Sequence, residues 1–149
     1  MMYCKKLFSL FLLLLSFHWS FGQSDCTESV IVCGNSGFSN LEVTGSGLQN
    51  EISSFNSCDG QENNSIWLKL TLKNGGTLGF ILTPKSNDIL EDFDFFVFGP
   101  TTSCSSLGTA IRCSTTNPYY SDQGDNLTGM NNTETDVSEG PGELGNSYL

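Results

Sequence analysis

The sequence predicts an all-β protein built as an antiparallel sandwich. Three observations carry this. Short β-branched or alternating runs recur along the chain, Gly- and Asn-rich turns separate them, and no amphipathic helical period appears anywhere. Charged residues make up only 15% and glycines number 16, which fits a turn-rich β protein. At 149 residues the chain suits one domain, and with 38% hydrophobic residues it has the means to build a core.

Each element follows from its local pattern. Ser29-Val30-Ile31-Val32-Cys33 is a short β-branched run, and Gly34 to Asn40 is loop-like. Ser65 to Leu72 alternates, with Ile66, Leu68, Leu70 and Leu72 on one face. Asn74-Gly75-Gly76 has the composition of a tight turn between antiparallel strands, so Thr77 to Thr83 reads as the return strand. Pro84 to Asn87 is loop. Asp92 to Phe98 is the strongest strand in the sequence, with Phe93, Phe95 and Val97 on one face and Phe96 and Phe98 on the other, a pattern for burial on both faces. Gly99-Pro100 ends it, and Ala110 to Cys113 is a short further strand. Residues 114–147 are rich in Ser, Thr, Asn, Asp and Gly and read as one long polar loop. Asn146 to Leu149 reads as the start of another strand, which predicts a domain truncated at its C-terminus and continuing past Leu149.

The start of the chain reads as a secretory signal peptide over residues 1–22. Lys5 and Lys6 supply a basic segment, and Leu7 to Phe17 is apolar apart from Ser9 and Ser16. Ser20 and Gly22 are the small residues that a signal peptidase needs. The apolar run is shorter than the roughly 18 residues a membrane anchor requires. The expected mature domain is 23–149, secreted or on the outer cell surface, with membrane contact only during export.

Charge and composition exclude several functions. The formal charge is −10, with 16 acidic residues against 6 basic ones, which argues against nucleic acid as a partner. The only histidine, His18, lies in the signal segment. A chain without histidine runs neither Ser-His-Asp nor Cys-His catalysis and builds no His-ligated zinc site. No Gly-x-Ser-x-Gly elbow is present.

Five cysteines remain after residue 22: Cys26, Cys33, Cys58, Cys104 and Cys113. In a secreted chain they are expected to form disulfides. Cys104 and Cys113 flank a short Ser/Gly-rich stretch that reads as a stapled turn, worth roughly 2–3 kcal/mol in the chain-entropy model. Cys33–Cys58 is the second expected pair, and Cys26 is left over.

An ordered set of motifs carries a resemblance. It runs Asp25-Cys26, Cys33-Gly34-Asn35, Glu62-Asn63-Asn64-Ser65-Ile66-Trp67, Gly76-Thr77-Leu78-Gly79-Phe80 and Asp92-Phe93-Asp94-Phe95-Phe96-Val97-Phe98-Gly99. Cys104, Ile111-Arg112-Cys113-Ser114 and Thr135-Asp136-Val137-Ser138-Glu139-Gly140 complete it. The set resembles the N-terminal domain of large, gliding-motility-associated surface proteins of Bacteroidetes, which use the type IX secretion system. That resemblance covers nearly all of the chain after residue 22. It implies a non-catalytic extracellular binding or adhesion module whose partner is an extracellular polysaccharide or a surface protein. An accessory domain of a secreted hydrolase and a spacer in a surface fibre are the alternatives.

A looser resemblance is to CUB domains and pre-peptidase-type sandwiches, and it implies a jelly-roll-like (CUB-like) arrangement. In CUB domains the first two cysteines pair and the last two pair, which implies Cys33–Cys58 and Cys104–Cys113. The departure is that no cysteine lies just before the Asp92 strand. Some CUB domains bind calcium, and the matching positions here are Glu62, Asp94 and Asp136, with Asp92 as an extra ligand. Ca2+ is therefore the candidate cofactor, pinning the 114–147 loop to the sandwich, and a solvated acidic strand end capping loop amides is the alternative. Asp92 and Asp94, two apart on a strand, emerge on one face, and calcium is a common partner for such paired carboxylates in secreted proteins. The same pair read as glycosidase acids lacks the cleft aromatics of a sugar site. Tyr119-Tyr120, in the polar loop, reads either as a pair of aromatics packing on the sandwich rim or as a carbohydrate-stacking or protein-binding patch.

Overall fold

The structure, a computed structural model, describes residues 23–35, 37–100, 102–121 and 123–141. The signal segment and the strand expected from Asn146 lie outside the described residues. The fold is all-β. Its strands are β1 (Val30–Val32), β2 (Leu68–Leu70), β3 (Phe80–Leu82), β4 (Phe95–Val97), β5 (Arg112–Ser114), β6 (Thr128–Met130) and β7 (Ser138–Glu139). One 3-10 turn, Cys26–Glu28, precedes β1.

The strands form three small sheets: β1 with β2, β3 with β6, and β4-β5-β7. The pairing is not antiparallel throughout. β1 runs parallel to β2, with Val30 opposite Leu68, and β7 runs parallel to β5. Parallel neighbours need long connections, and residues 33–67 and 115–137 supply them. The hairpin expected around Asn74-Gly75-Gly76 does not form. β2 takes β1 as its neighbour, and β3 pairs antiparallel with β6, Phe80 opposite Met130. Gly129 makes that choice sterically possible. It has φ +148, and a Cβ there would overlap the Phe80 carbonyl oxygen.

The described residues of the 114–147 stretch do not form one loop. They contribute β6 and β7 and much of the deepest packing: Thr116, Thr128, Pro118 and Ser114 are the largest fully buried side chains. The apolar core is small, with Cys26, Ile52, Phe95 and Cys113 buried. Phe95 meets Phe80 edge to face at 5.2 Å, whereas Phe98 stacks on Trp67 at 5.7 Å and Phe96 lies against Gly60. Residues 95–98 thus meet side chains or backbone on both faces, but within the Asp92–Phe98 run only Phe95 is buried, Asp94 is exposed and the rest are half-buried. The alternating face of Ile66 to Leu72 is not core: Leu68, Leu70 and Leu72 are exposed.

Both expected disulfides are replaced. Cys26 bonds Cys104 and Cys58 bonds Cys113, with Cα–Cα distances of 5.5 and 5.9 Å. Cys104 sits in a tight turn closed by Ser106 N donating to the Ser103 carbonyl, which leaves its side chain for the 3-10 turn. Cys113 is carried away by β5 and buried opposite Phe96. There Thr115 Oγ1 donates to the Cys58 carbonyl at 2.8 Å and holds the two segments together. Cys33, just past β1, is exposed and takes part in neither disulfide.

Candidate binding surface

The acidic segment 86–94 is tied to the 114–130 segment by side-chain amides and a hydroxyl. The Asn126 carboxamide is buried, and its Nδ2 faces three backbone carbonyls, those of Ser86 (2.8 Å), Glu91 (2.8 Å) and Asp88 (3.2 Å). Thr128 Oγ1 donates to the Phe93 carbonyl at 2.7 Å. Asn117 Nδ2 donates to Asp92 Oδ1 at 2.9 Å. Within the acidic segment, Asp88 Oδ1 accepts from Leu90 N and closes a local turn. The pinning expected of calcium is made here by Asn117, Asn126 and Thr128.

Asn117 also builds the turn that carries the tyrosines. Its Oδ1 accepts from Tyr119 N at 2.9 Å and its carbonyl from Tyr120 N at 3.0 Å. Pro118 is fully buried beneath, and its carbonyl accepts from Ser121 Oγ and Gln123 N. The result is a braced turn with two outward residues. Tyr119 is 55% and Tyr120 53% exposed, and their rings meet edge to face at 5.2 Å. Leu90, whose carbonyl lies 3.4 Å from Asn117 Nδ2, is also exposed.

The four expected calcium ligands do not form one ligand set. Glu62 is buried elsewhere. Its Oε2 accepts from Glu51 N (2.9 Å) and Ile52 N (3.4 Å), and its Oε1 from Trp67 Nε1 (3.1 Å). It acts as a staple between the Trp67 strand and the 51–52 segment. Asp136 is exposed beside β7. Asp92 and Asp94 alone stay close enough to sense each other. Among the described residues, no group of three or more His, Cys, Asp or Glu is placed to hold a metal ion.

The electrostatics of the pair follow from its surroundings. Desolvation raises Asp92 above the usual carboxylate range, and its backbone and Asn117 hydrogen bonds pull the other way. Its second oxygen is buried with no hydrogen-bond partner. Asp94 keeps an exposed residue surface, yet the protein around its carboxyl, and then the Asp92 charge, push its pKa up to about 6.

Asn117, Asn126 and Thr128 are absent from the sequence expectations for this site. Asn117-Pro118 is a turn-initiating dipeptide and gave a usable signal. Asn126 and Thr128 belong to an Asn-x-Thr triplet that reads as a surface feature, and nothing local marks either as buried. Two shallow depressions lie away from the tyrosines, one over the Cys58–Cys113 disulfide beside Ile111 and Val137, the other between Gln49 and Leu107. Both disulfides fit an oxidising environment. Among the described residues, no helix is long and apolar enough to cross a membrane. Comparison with protein-family models, with curated proteins and with solved structures finds no match.

Proposed function

We propose that the chain is a non-catalytic extracellular binding module of a secreted or cell-surface protein, of the adhesion type that its motifs resemble. Its contact surface is the Tyr119–Tyr120 turn, and its partner is an extracellular polymer. The observation that carries this reading is the pair of tyrosines, both more than half exposed on a turn locked by Asn117 and the buried Pro118. Exposed aromatic rings cost little conformational entropy when they bind and offer flat apolar faces with a polar tip. A rigid turn beneath them lowers the ordering cost further. The two disulfides fit residence outside the reducing cytoplasm.

The test is retention of the full chain on immobilised polysaccharides and surface proteins, compared with a Tyr119→Ala/Tyr120→Ala variant. The expected result is a bound polymer whose affinity falls about tenfold or more in the variant, about 1.4 kcal/mol or more. Equal retention of both proteins on every surface rejects the proposal.

A further inference from the structure

The charge around the tyrosine turn points to the class of ligand. The turn is joined to two acidic stretches through specific contacts. Asn117 links it to Asp92, and Asp92 leads directly to Asp94 and Glu91. Gln123 links it to Asp125: its backbone N donates to the Pro118 carbonyl and its Nε2 to Asp125 Oδ1 at 2.8 Å. Asp88, Glu91, Asp94 and Asp125 are all exposed. No Lys or Arg occurs in residues 86–94 or 114–141, so none of these carboxylates has a cationic neighbour within its own stretch. Two exposed aromatic rings on a turn tied to these acidic stretches form a surface for a cation, which gains from both the ring faces and the carboxylates.

We infer that the Tyr119–Tyr120 turn and its acidic rim bind an amine-bearing polysaccharide, the sugar faces stacking on the tyrosines and the ammonium groups meeting Glu91, Asp94 and neighbouring acids. This rests on the binding reading above and narrows it. A sugar chain is favoured over a basic polypeptide because an extended peptide docks along an open strand edge or in a groove. The tyrosines instead sit on a braced turn between β5 and β6, outside every strand.

The experiment titrates the full chain with three probes: a β-linked glucosamine hexamer, the N-acetylglucosamine hexamer of the same length, and oligolysine. Each is measured against wild type, Tyr119→Ala/Tyr120→Ala and Glu91→Gln/Asp94→Asn, with melting curves to confirm that the variants fold. The expected result is glucosamine binding about tenfold or more tighter than that of the acetylated hexamer, weakened by both variants and by salt. Equal, tyrosine-dependent affinity for the two hexamers overturns the cationic inference and leaves the binding reading standing. No binding to either hexamer overturns the inference and denies that reading its sugar ligands. Tighter, tyrosine-dependent binding of oligolysine makes the partner a basic polypeptide and rejects the sugar. Glucosamine and oligolysine binding that ignores the tyrosines is ion exchange and also rejects the proposal.

Discussion

Asn126 sets one carboxamide against three backbone carbonyls, and each belongs to the turn that presents the acidic segment. Removing the buried amide takes the donor from all three carbonyls at once, so the loss exceeds that of one ordinary hydrogen bond. Asn126→Ala is expected to cost about 2–3 kcal/mol, read as a fall in the urea midpoint at unchanged slope. Asp94 acts in the opposite sense. Its carboxyl is raised to about 6 in the fold from an ordinary 3.8, so the folded protein holds the proton more tightly than the unfolded chain between those values. Stability therefore falls as pH rises through that window, and ionised Asp94 weakens the fold at neutral pH. Asp94→Asn removes this penalty. The variant is expected to gain over wild type progressively from about pH 4 to about pH 6 and then to hold a constant advantage. Urea titrations at several pH values check it, and a gain that does not change with pH refutes the assignment.

At the scale of elements, Gly129 decides the pairing of β3 with β6. Its φ of +148 is one that L side chains rarely adopt, and a Cβ would run into the Phe80 carbonyl across the ladder. Gly129→Ala is expected to destabilise by about 2–4 kcal/mol. Gly75→Ala, with open space around it and no strained φ, is expected to change little. Comparative melting of the two variants tests both. This glycine also shows what the sequence did and did not disclose. Strands whose own residues bear the signal were legible: Val30-Ile31-Val32, Phe80-Ile81-Leu82 and the Phe95 run all lie inside the expected segments. Partner choice was not, because Asn74-Gly75-Gly76 suits a hairpin locally while β3 (from Phe80) is claimed by the distant β6 (from Thr128), through contacts that no local pattern records. β6 and β7 were invisible for a related reason. Their residues, Thr-Gly-Met and Ser-Glu, are polar or small, and they are ordered by side-chain bonds such as Thr128 to Phe93 and Thr116 to Gly140. In the candidate site, the sequence marks Tyr119-Tyr120 as a loop pair but does not decide between an exposed patch and packing on the sandwich rim; the structure leaves both more than half exposed. The calcium set was not supported, because Glu62 has the amides of Glu51 and Ile52 and the Trp67 indole as its partners.

At the scale of the whole molecule, covalent links do much of what a larger apolar core does elsewhere. Among the described residues the buried apolar core is Cys26, Ile52, Phe95 and Cys113, and each of the two disulfides runs through one of its cysteines. Cys26–Cys104 spans 78 residues and Cys58–Cys113 spans 55, and the two spans overlap, so together they tie the 3-10 turn, the 58–60 segment, the 103–106 turn and β5. In the chain-entropy model each closure is worth about 4 kcal/mol, a large share of the total stability of a small domain. Two consequences follow. Peptide mapping of the unreduced chain is expected to recover Cys26 linked to Cys104 and Cys58 linked to Cys113; recovery of Cys33–Cys58 or Cys104–Cys113 refutes this topology. Cys58→Ser/Cys113→Ser is expected to lower the urea midpoint more than Cys26→Ser/Cys104→Ser despite the shorter span. Cys113 lies in the central strand of the three-stranded sheet and its partner segment is also anchored through Thr115, so the first variant opens a cavity under Phe96 as well as a loop. The second also loses the buried Cys26, but that residue lies in the 3-10 turn and Cys104 in a half-buried turn, both outside the sheets. Equal losses for the two variants mean that loop closure alone sets the stability and that the buried contacts around β5 add little.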